Sequence, residues 1–113
     1  MAQTSGAETR AQVAGALSMV SGMKASIAEA FAQSGRFPDK YSDAGMSGPI
    51  QISYADAKLG AEGVITLTFN SKAAESLRGR IIKLVPMADA SESIMFYCLA
   101  PALPEPIRPS SCH

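Results

Sequence analysis

Two cysteines near the end of the chain are the residues with the clearest chemistry. Cys98 and Cys112 are the only two, and they enclose a segment that contains four prolines, Pro101, Pro104, Pro106 and Pro109. Because each proline removes a backbone donor, this segment can form neither a helix nor a central strand. A disulfide that closes a loop of about 15 residues would stabilise a small domain by roughly 3 kcal/mol. The alternative is a pair of buried free thiols. We expect the disulfide, which would place the protein outside the reducing cytosol, in the periplasm or on a cell surface.

Groups that could perform catalysis or bind a metal are few. His113 is the single histidine and stands last in the sequence, which argues against a histidine-based catalytic centre inside a core. Four carboxylates could collect a calcium ion but lack the spacing of an EF-hand loop: Asp39, Asp43, Asp56 and Glu62. The sequence has no glycine-rich phosphate loop and no second cysteine pair for zinc. We therefore expect no enzyme activity, no cofactor and no metal site.

A basic cluster is the remaining candidate for binding chemistry. It contains Lys72, Arg78, Arg80 and Lys83, with only Glu75 to offset them. Such a stripe could bind DNA phosphates with a salt-dependent affinity. The favoured alternative is a solvated strand edge, where Lys and Arg discourage edge-to-edge pairing. Ten basic and ten acidic residues give the chain zero net charge, which also argues against duplex DNA or an anionic membrane as a partner.

One long amphipathic helix is predicted over residues 8–34, which contain no proline. Its apolar residues recur at steps of three and four, which places them on one stripe: Val13, Leu17, Val20, Met23, Ile27 and Phe31. Gly35 ends the helix and Pro38 prevents it from resuming. Gly15 and Gly22 cost about 1 kcal/mol each inside a helix, so they are either tolerated surface positions or points of close backbone approach.

A sheet is predicted after the loop over residues 35–49, because the apolar period changes from 3.6 to 2. Four strands are expected, at residues 50–54, 63–70, 80–85 and 94–100, with the third ending at Pro86. Short connections favour an antiparallel meander, and a sheet with one apolar face needs a cover, which the helix supplies. The fold class is therefore α+β, in one domain: a long N-terminal helix on a four-stranded antiparallel sheet, with a disulfide-bounded loop over residues 98–112.

Five patches of sequence, in order along the chain, resemble the globular domain of type IV pilins. TRAQV, ALS and GMK at residues 9–24 resemble the family's helical run RAQV.EAL…GLK, and GRFP at 35–38 resembles G.FP. GVITLTF at 63–69 resembles the strand G.ITVTF, LRGR at 77–80 resembles LKGK, and PSSC at 109–112 resembles the LPSSC ending. The family usually has Trp two residues before the first cysteine, where this chain has Phe96. The basic leader and the apolar helix of the family have no counterpart in the sequence, and residues 1–8 are predicted to be a vector-derived leader.

The resemblance implies a structural subunit that polymerises with copies of itself into a helical filament. It also implies other pilins and the pilus assembly machinery as partners. An apolar segment upstream would anchor the subunit in the inner membrane, on the periplasmic side, before it joins an extracellular pilus. Such fibres support adhesion to a host or surface ligand, twitching motility and DNA uptake. The alternatives are a minor or competence pilin that binds DNA or a surface ligand, and a pseudopilin of a type II secretion system.

Small residues on the helix are the subunit-packing candidates that the resemblance implies. They lie off the apolar stripe and could let another subunit approach: Ala11, Ala14, Gly15, Ser18 and Gly22. An ordinary solvated, alanine-rich helix face is the alternative for each of them. The resemblance also implies that residues 9–113 form the whole globular domain, with the loops at residues 40–49 and 98–112 as its variable surface.

Overall fold

Two consecutive helices open the fold. The computed structural model describes residues 6–91 and 93–113, so the first five residues of the predicted leader lie outside it. Helix α1 spans Gly6–Met19 and helix α2 spans Ser21–Ser34, where one continuous helix was predicted. The break lies at Val20, whose N–H donates to the Leu17 carbonyl in a tighter, i−3 pattern at 3.3 Å. The neighbouring Gly22 lowers helix propensity at this point. Gly35 ends α2 in the left-handed conformation, with φ 76°, as predicted.

The sheet has five strands, so the prediction of four is wrong. The strands are β1 (Ile50–Ile52), β2 (Ala55–Leu59), β3 (Ile65–Phe69), β4 (Ile81–Ala88) and β5 (Ile94–Leu99). They pair in sequence order, and every neighbouring pair is antiparallel, which confirms the predicted meander. The missed strand is β2, since the chain turns back at residues 53–54. Ala55 and Ala57 alternate with polar residues as a strand requires, but alanine has low strand propensity and gave no hydrophobic signal.

Strand β4 runs through Pro86, where the sequence predicted its end. Beyond Leu84 the strand pairs with β5 alone, because β3 covers only residues 81–84 of β4. A proline is tolerated where a strand has one free side, since its missing N–H leaves no ladder bond unmade.

The core lies between the helices and one face of the sheet. Val13, Ala16, Val20, Met23 and Ile27 are each at most 1% exposed and pack against the buried residues of β3 and β4. Leu17 and Phe31, which also belong to the predicted stripe, are only partly buried. The small Ala55 and Ala57 are fully buried on β2, which leaves room for the helix to lie close to the sheet. Among the described residues, no helix is long and apolar enough to cross a bilayer.

The C-terminal segment returns to the edge of β5 and is tied there. Cys98 and Cys112 form a disulfide, with Cα atoms 4.5 Å apart. The Ala100 N–H donates to the His113 carbonyl and the His113 N–H to the Cys98 carbonyl, both at 2.9 Å. Leu103 and Ile107 reach into the core from the enclosed loop. The tail is therefore held by a covalent bond, by strand-like hydrogen bonds and by apolar packing.

Candidate functional site

Between residues 11 and 22, the exposed helix residues, which face away from the sheet, are small and uncharged. Ala11, Ala14, Ser18 and Gly22 are all exposed, and nothing in the subunit lies within 4 Å of where a Cβ at Gly22 would stand. A helix surface made of Ala, Ser and Gly lets another backbone approach closely. These four residues form the small-residue face.

Gly15 does not belong to that face. The hydroxyl of Tyr54, in the turn between β1 and β2, occupies the place where a Cβ at Gly15 would stand. The Tyr54 ring stacks on Phe69, with centroids 6.5 Å apart. This contact holds the tyrosine side chain in place. The space beside this glycine is therefore filled inside the subunit, by a tyrosine side chain rather than by a second backbone.

The basic cluster lies on β4 and in the connection before it. Two of its members donate hydrogen bonds to backbone carbonyls. The Arg78 Nε donates to the Ala73 carbonyl at 3.0 Å. Arg80 donates to the Ser76 and Ala102 carbonyls, at 3.2 and 2.9 Å, and so ties the β3–β4 connection to the C-terminal loop. Both arginines thus support the local structure.

The other two members of the cluster are exposed lysines, and within residues 6–91 and 93–113 their side chains make no hydrogen bond. Lys72 lies in the connection after β3. Lys83 lies in an interior strand, opposite Thr66 on one side and Leu99 on the other, where a strand edge was predicted.

The four carboxylates considered as calcium ligands lie on different elements of the fold. Asp39 and Asp43 lie in the loop after α2, whereas Asp56 is on β2 and Glu62 is in a 3-10 turn before β3. Within the described parts of the chain, no group of three or more histidine, cysteine or acidic side chains could hold a metal ion.

A shallow groove separates the last turns of α2 from the loop that follows. Ala30, Phe37 and Pro38 contribute its apolar wall, and Phe37 stacks on Phe31 with centroids 4.4 Å apart. Its charged residues are Glu29, Arg36, Asp39 and Asp43, a net excess of negative charge. We call this feature the α2–loop groove.

The outer face of β4 and β5 carries an apolar surface that the sequence interpretation missed. Every large hydrophobic side chain found exposed among the described residues lies there: Ile81, Met87, Met95, Tyr97 and Leu99. We call these five residues the outer-sheet patch. The sequence did contain a signal for this surface. Residues 94–99 are all apolar (IMFYCL), whereas a strand that packs on the core with only one face needs apolar residues only at alternate positions.

The turn between β4 and β5 is organised by one carboxylate. Asp89 accepts hydrogen bonds from the Ser91 hydroxyl at 2.7 Å, the Ser93 N–H at 3.0 Å and the Ser91 N–H at 2.9 Å. These bonds, that of the Ser91 hydroxyl first, hold the pKa of Asp89 below its ordinary value. The ionised carboxylate therefore fixes the hairpin that presents the outer-sheet patch.

A protein-family model matches most of the chain. The model of a family described as "Pilin (bacterial filament)" matches residues 9–113, which is nearly the whole chain. None of the curated proteins compared with the chain matches it.

Proposed function

Because this chain belongs to the pilin family, a family of structural rather than enzymatic proteins, we propose that it is the subunit of a type IV pilus supporting adhesion and twitching motility. The family assembles into extracellular filaments. The observation that carries the proposal is the match over residues 9–113, a range that includes every strand, the disulfide and nearly all of both helices. We take this range to be one globular domain.

The small-residue face supports the proposal from the structure. Ala11, Ala14, Ser18 and Gly22 are exposed although the opposite side of the same helices is completely buried. In a filament of identical subunits, contacts of this kind are heterologous, and a rotation that does not close produces an open fibre. On this proposal the helices of neighbouring subunits pack through this face. An apolar segment ahead of residue 9 would anchor the subunit in the inner membrane before assembly.

Filament yield tests the proposal. The full chain, with its natural upstream segment, is produced in a bacterium that has pilus assembly machinery, and the fibres are sheared off and imaged. Ala14→Glu places a charge and a longer side chain on the small-residue face, and we expect it to lower the filament yield by about tenfold or more, since a buried unpaired charge is costly. Ala61→Glu, at an exposed position in the 3-10 turn before β3, is the matched control.

The result has two clear outcomes. Normal fibres from Ala14→Glu would exclude the small-residue face as a contact. Absence of fibres from the unaltered chain would contradict the proposal that it is a pilus subunit at all.

A further inference from the structure

We propose that the outer-sheet patch of one subunit docks into the α2–loop groove of a second copy of this chain in the same filament. The inference rests on the proposed function, since it names a contact within the pilus. Both surfaces were defined above by their residues, and neither is explained by the packing of the subunit itself.

The outer-sheet patch is unusual because its apolar side chains are contiguous. In the register of β4 and β5, Met87 lies opposite Met95, Val85 opposite Tyr97, and Lys83 opposite Leu99. Met87 is 52% and Met95 58% exposed. Single exposed hydrophobic residues are ordinary, but a contiguous surface of this kind marks an interaction site.

Lys83 decides what kind of surface can cover the patch. It lies among the apolar side chains on the outer face, and β4 and β5 carry no acidic residue on that face between residues 81 and 99 of the described chain. Symmetric stacking of two identical sheets would bring one Lys83 towards the other, and like charges in a contact are unfavourable. The covering surface must therefore be a different one, and it must be acidic.

The α2–loop groove meets both conditions. Ala30, Phe37 and Pro38 give it apolar walls, and three carboxylates exceed the single Arg36 on its rim. In residues 6–91 and 93–113, none of the carboxylates of Glu29, Asp39 and Asp43 has an ion-pair partner. Apolar side chains of the patch would supply the affinity, and Lys83 would supply the orientation by facing these carboxylates.

The two surfaces cannot meet within one subunit. The outer-sheet patch faces away from the helices, whereas the groove is built by α2 and its following loop on the other side of the sheet. A contact between them therefore joins two subunits through two different surfaces. Repeated with a rotation that does not close into a ring, such a contact extends into an open filament.

Charge reversal tests the pairing of the two surfaces. We expect Lys83→Glu and Asp43→Lys each to lower the filament yield by about tenfold, because each brings like charges together. Combined in one chain, the two substitutions should restore most of the yield. Lys58→Glu is the matched control, since Lys58 is also exposed on the outer face of the sheet, on β2, but lies outside the patch.

Methionine oxidation tests burial of the patch in the unaltered protein. Peroxide oxidises accessible methionines, so Met87 and Met95 should react about fivefold more slowly in intact filaments than in dissociated subunits. Met23, which is fully buried, should stay protected in both states. Mass spectrometry of the peptides gives the sulfoxide fraction.

The outcomes separate this inference from the proposed function. If the unaltered chain forms filaments, and Lys83→Glu also assembles normally or Met87 and Met95 react equally fast in both states, the docking is wrong and the pilus subunit stands. If Asp43→Lys does not rescue Lys83→Glu, the groove is not the partner of the patch. Loss of filament bundling alone, with normal single fibres, would place the patch between filaments and overturn the proposal.

Discussion

At the scale of single residues, Gly15 and Gly22 show that the same residue type has different roles in neighbouring helices. Gly15 lies beneath the Tyr54 hydroxyl, while the space beside Gly22 is empty within the subunit. Both were predicted as subunit-packing candidates, because both are small and lie off the apolar stripe. Only the positions of side chains distant in sequence separate them.

Replacing each glycine by alanine should therefore change stability in opposite directions. Gly22→Ala should raise the free energy of unfolding by up to about 1 kcal/mol, because alanine is the better helix former. Gly15→Ala gains the same propensity but forces its methyl group against Tyr54, and overpacking costs about 1 to 3 kcal/mol, so we expect net destabilisation. Urea denaturation of the two single variants measures both changes.

Tyr54→Phe supplies the control for this pair. It removes the hydroxyl that fills the space beside Gly15, so Gly15→Ala should be less damaging in the Tyr54→Phe background than alone. An equal effect in both backgrounds would show that the tyrosine does not set the requirement for glycine.

At the scale of elements, the β5 edge and the tail depend on one another. Strand β5 is the last of the meander, and the tail covers only its end, through the bridge between Cys98 and Cys112. Leu103 and Ile107 lie between the two cysteines and bury their side chains, in a proline-rich segment that forms a short 3-10 turn at Glu105–Ile107. The disulfide holds this segment against the core, together with local backbone hydrogen bonds such as that from the Leu103 N–H to the Ala100 carbonyl at 3.1 Å.

Removing the disulfide should therefore have a large effect on stability. We expect the double substitution Cys98→Ser and Cys112→Ser to lower the free energy of unfolding by roughly 3 kcal/mol, since the bond closes a loop of about 15 residues. The urea midpoints of the oxidised chain and of the variant give the difference. Substituting the exposed Ser110 by alanine, in the same segment, should change it by no more than about 0.5 kcal/mol. A loss below about 1 kcal/mol on removing both cysteines would mean that Leu103, Ile107 and the hydrogen bonds hold the tail without the bond.

At the scale of the whole molecule, the zero net charge argues against DNA as a partner, whereas the local basic cluster favours it. The structure assigns Arg78 and Arg80 to carbonyls of the β3–β4 connection and the C-terminal loop. Lys83 lies within the apolar outer-sheet patch rather than on a basic strip. Little of the cluster's charge is therefore arranged to follow a phosphate backbone.

We accordingly expect no DNA retardation by this domain. A gel-shift titration with duplex DNA at low and at moderate salt measures it, because phosphate binding weakens steeply as salt increases. A shift at low salt that disappears at moderate salt, and that is absent from a Lys72→Ala and Lys83→Ala double variant, would instead support a DNA-receptor pilin.

The sequence by itself determined the features that depend on local periodicity and chemistry. The period of 3.6 predicted the helical region, and Gly35 predicted its end. Alternation predicted strands β3 and β4, and the apolar run before Pro101 predicted β5. Two cysteines around four prolines predicted the disulfide. These follow from neighbours in the chain, whose spacing fixes which side chains share a face. The resemblance of short patches was sufficient to predict the family, which the match over residues 9–113 confirmed.

Tertiary structure decided the rest, because it brings together residues that are far apart in the chain. Strand β2 is recognisable only when Ala55 and Ala57 are seen between β1 and β3 beneath the helices, since alanine carries little strand preference. The role of Gly15 depends on Tyr54, and continuation of β4 through Pro86 depends on where β3 ends. The outer-sheet patch likewise arises from the register of β4 against β5, which places side chains from two strands on one face, and local sequence does not specify that register.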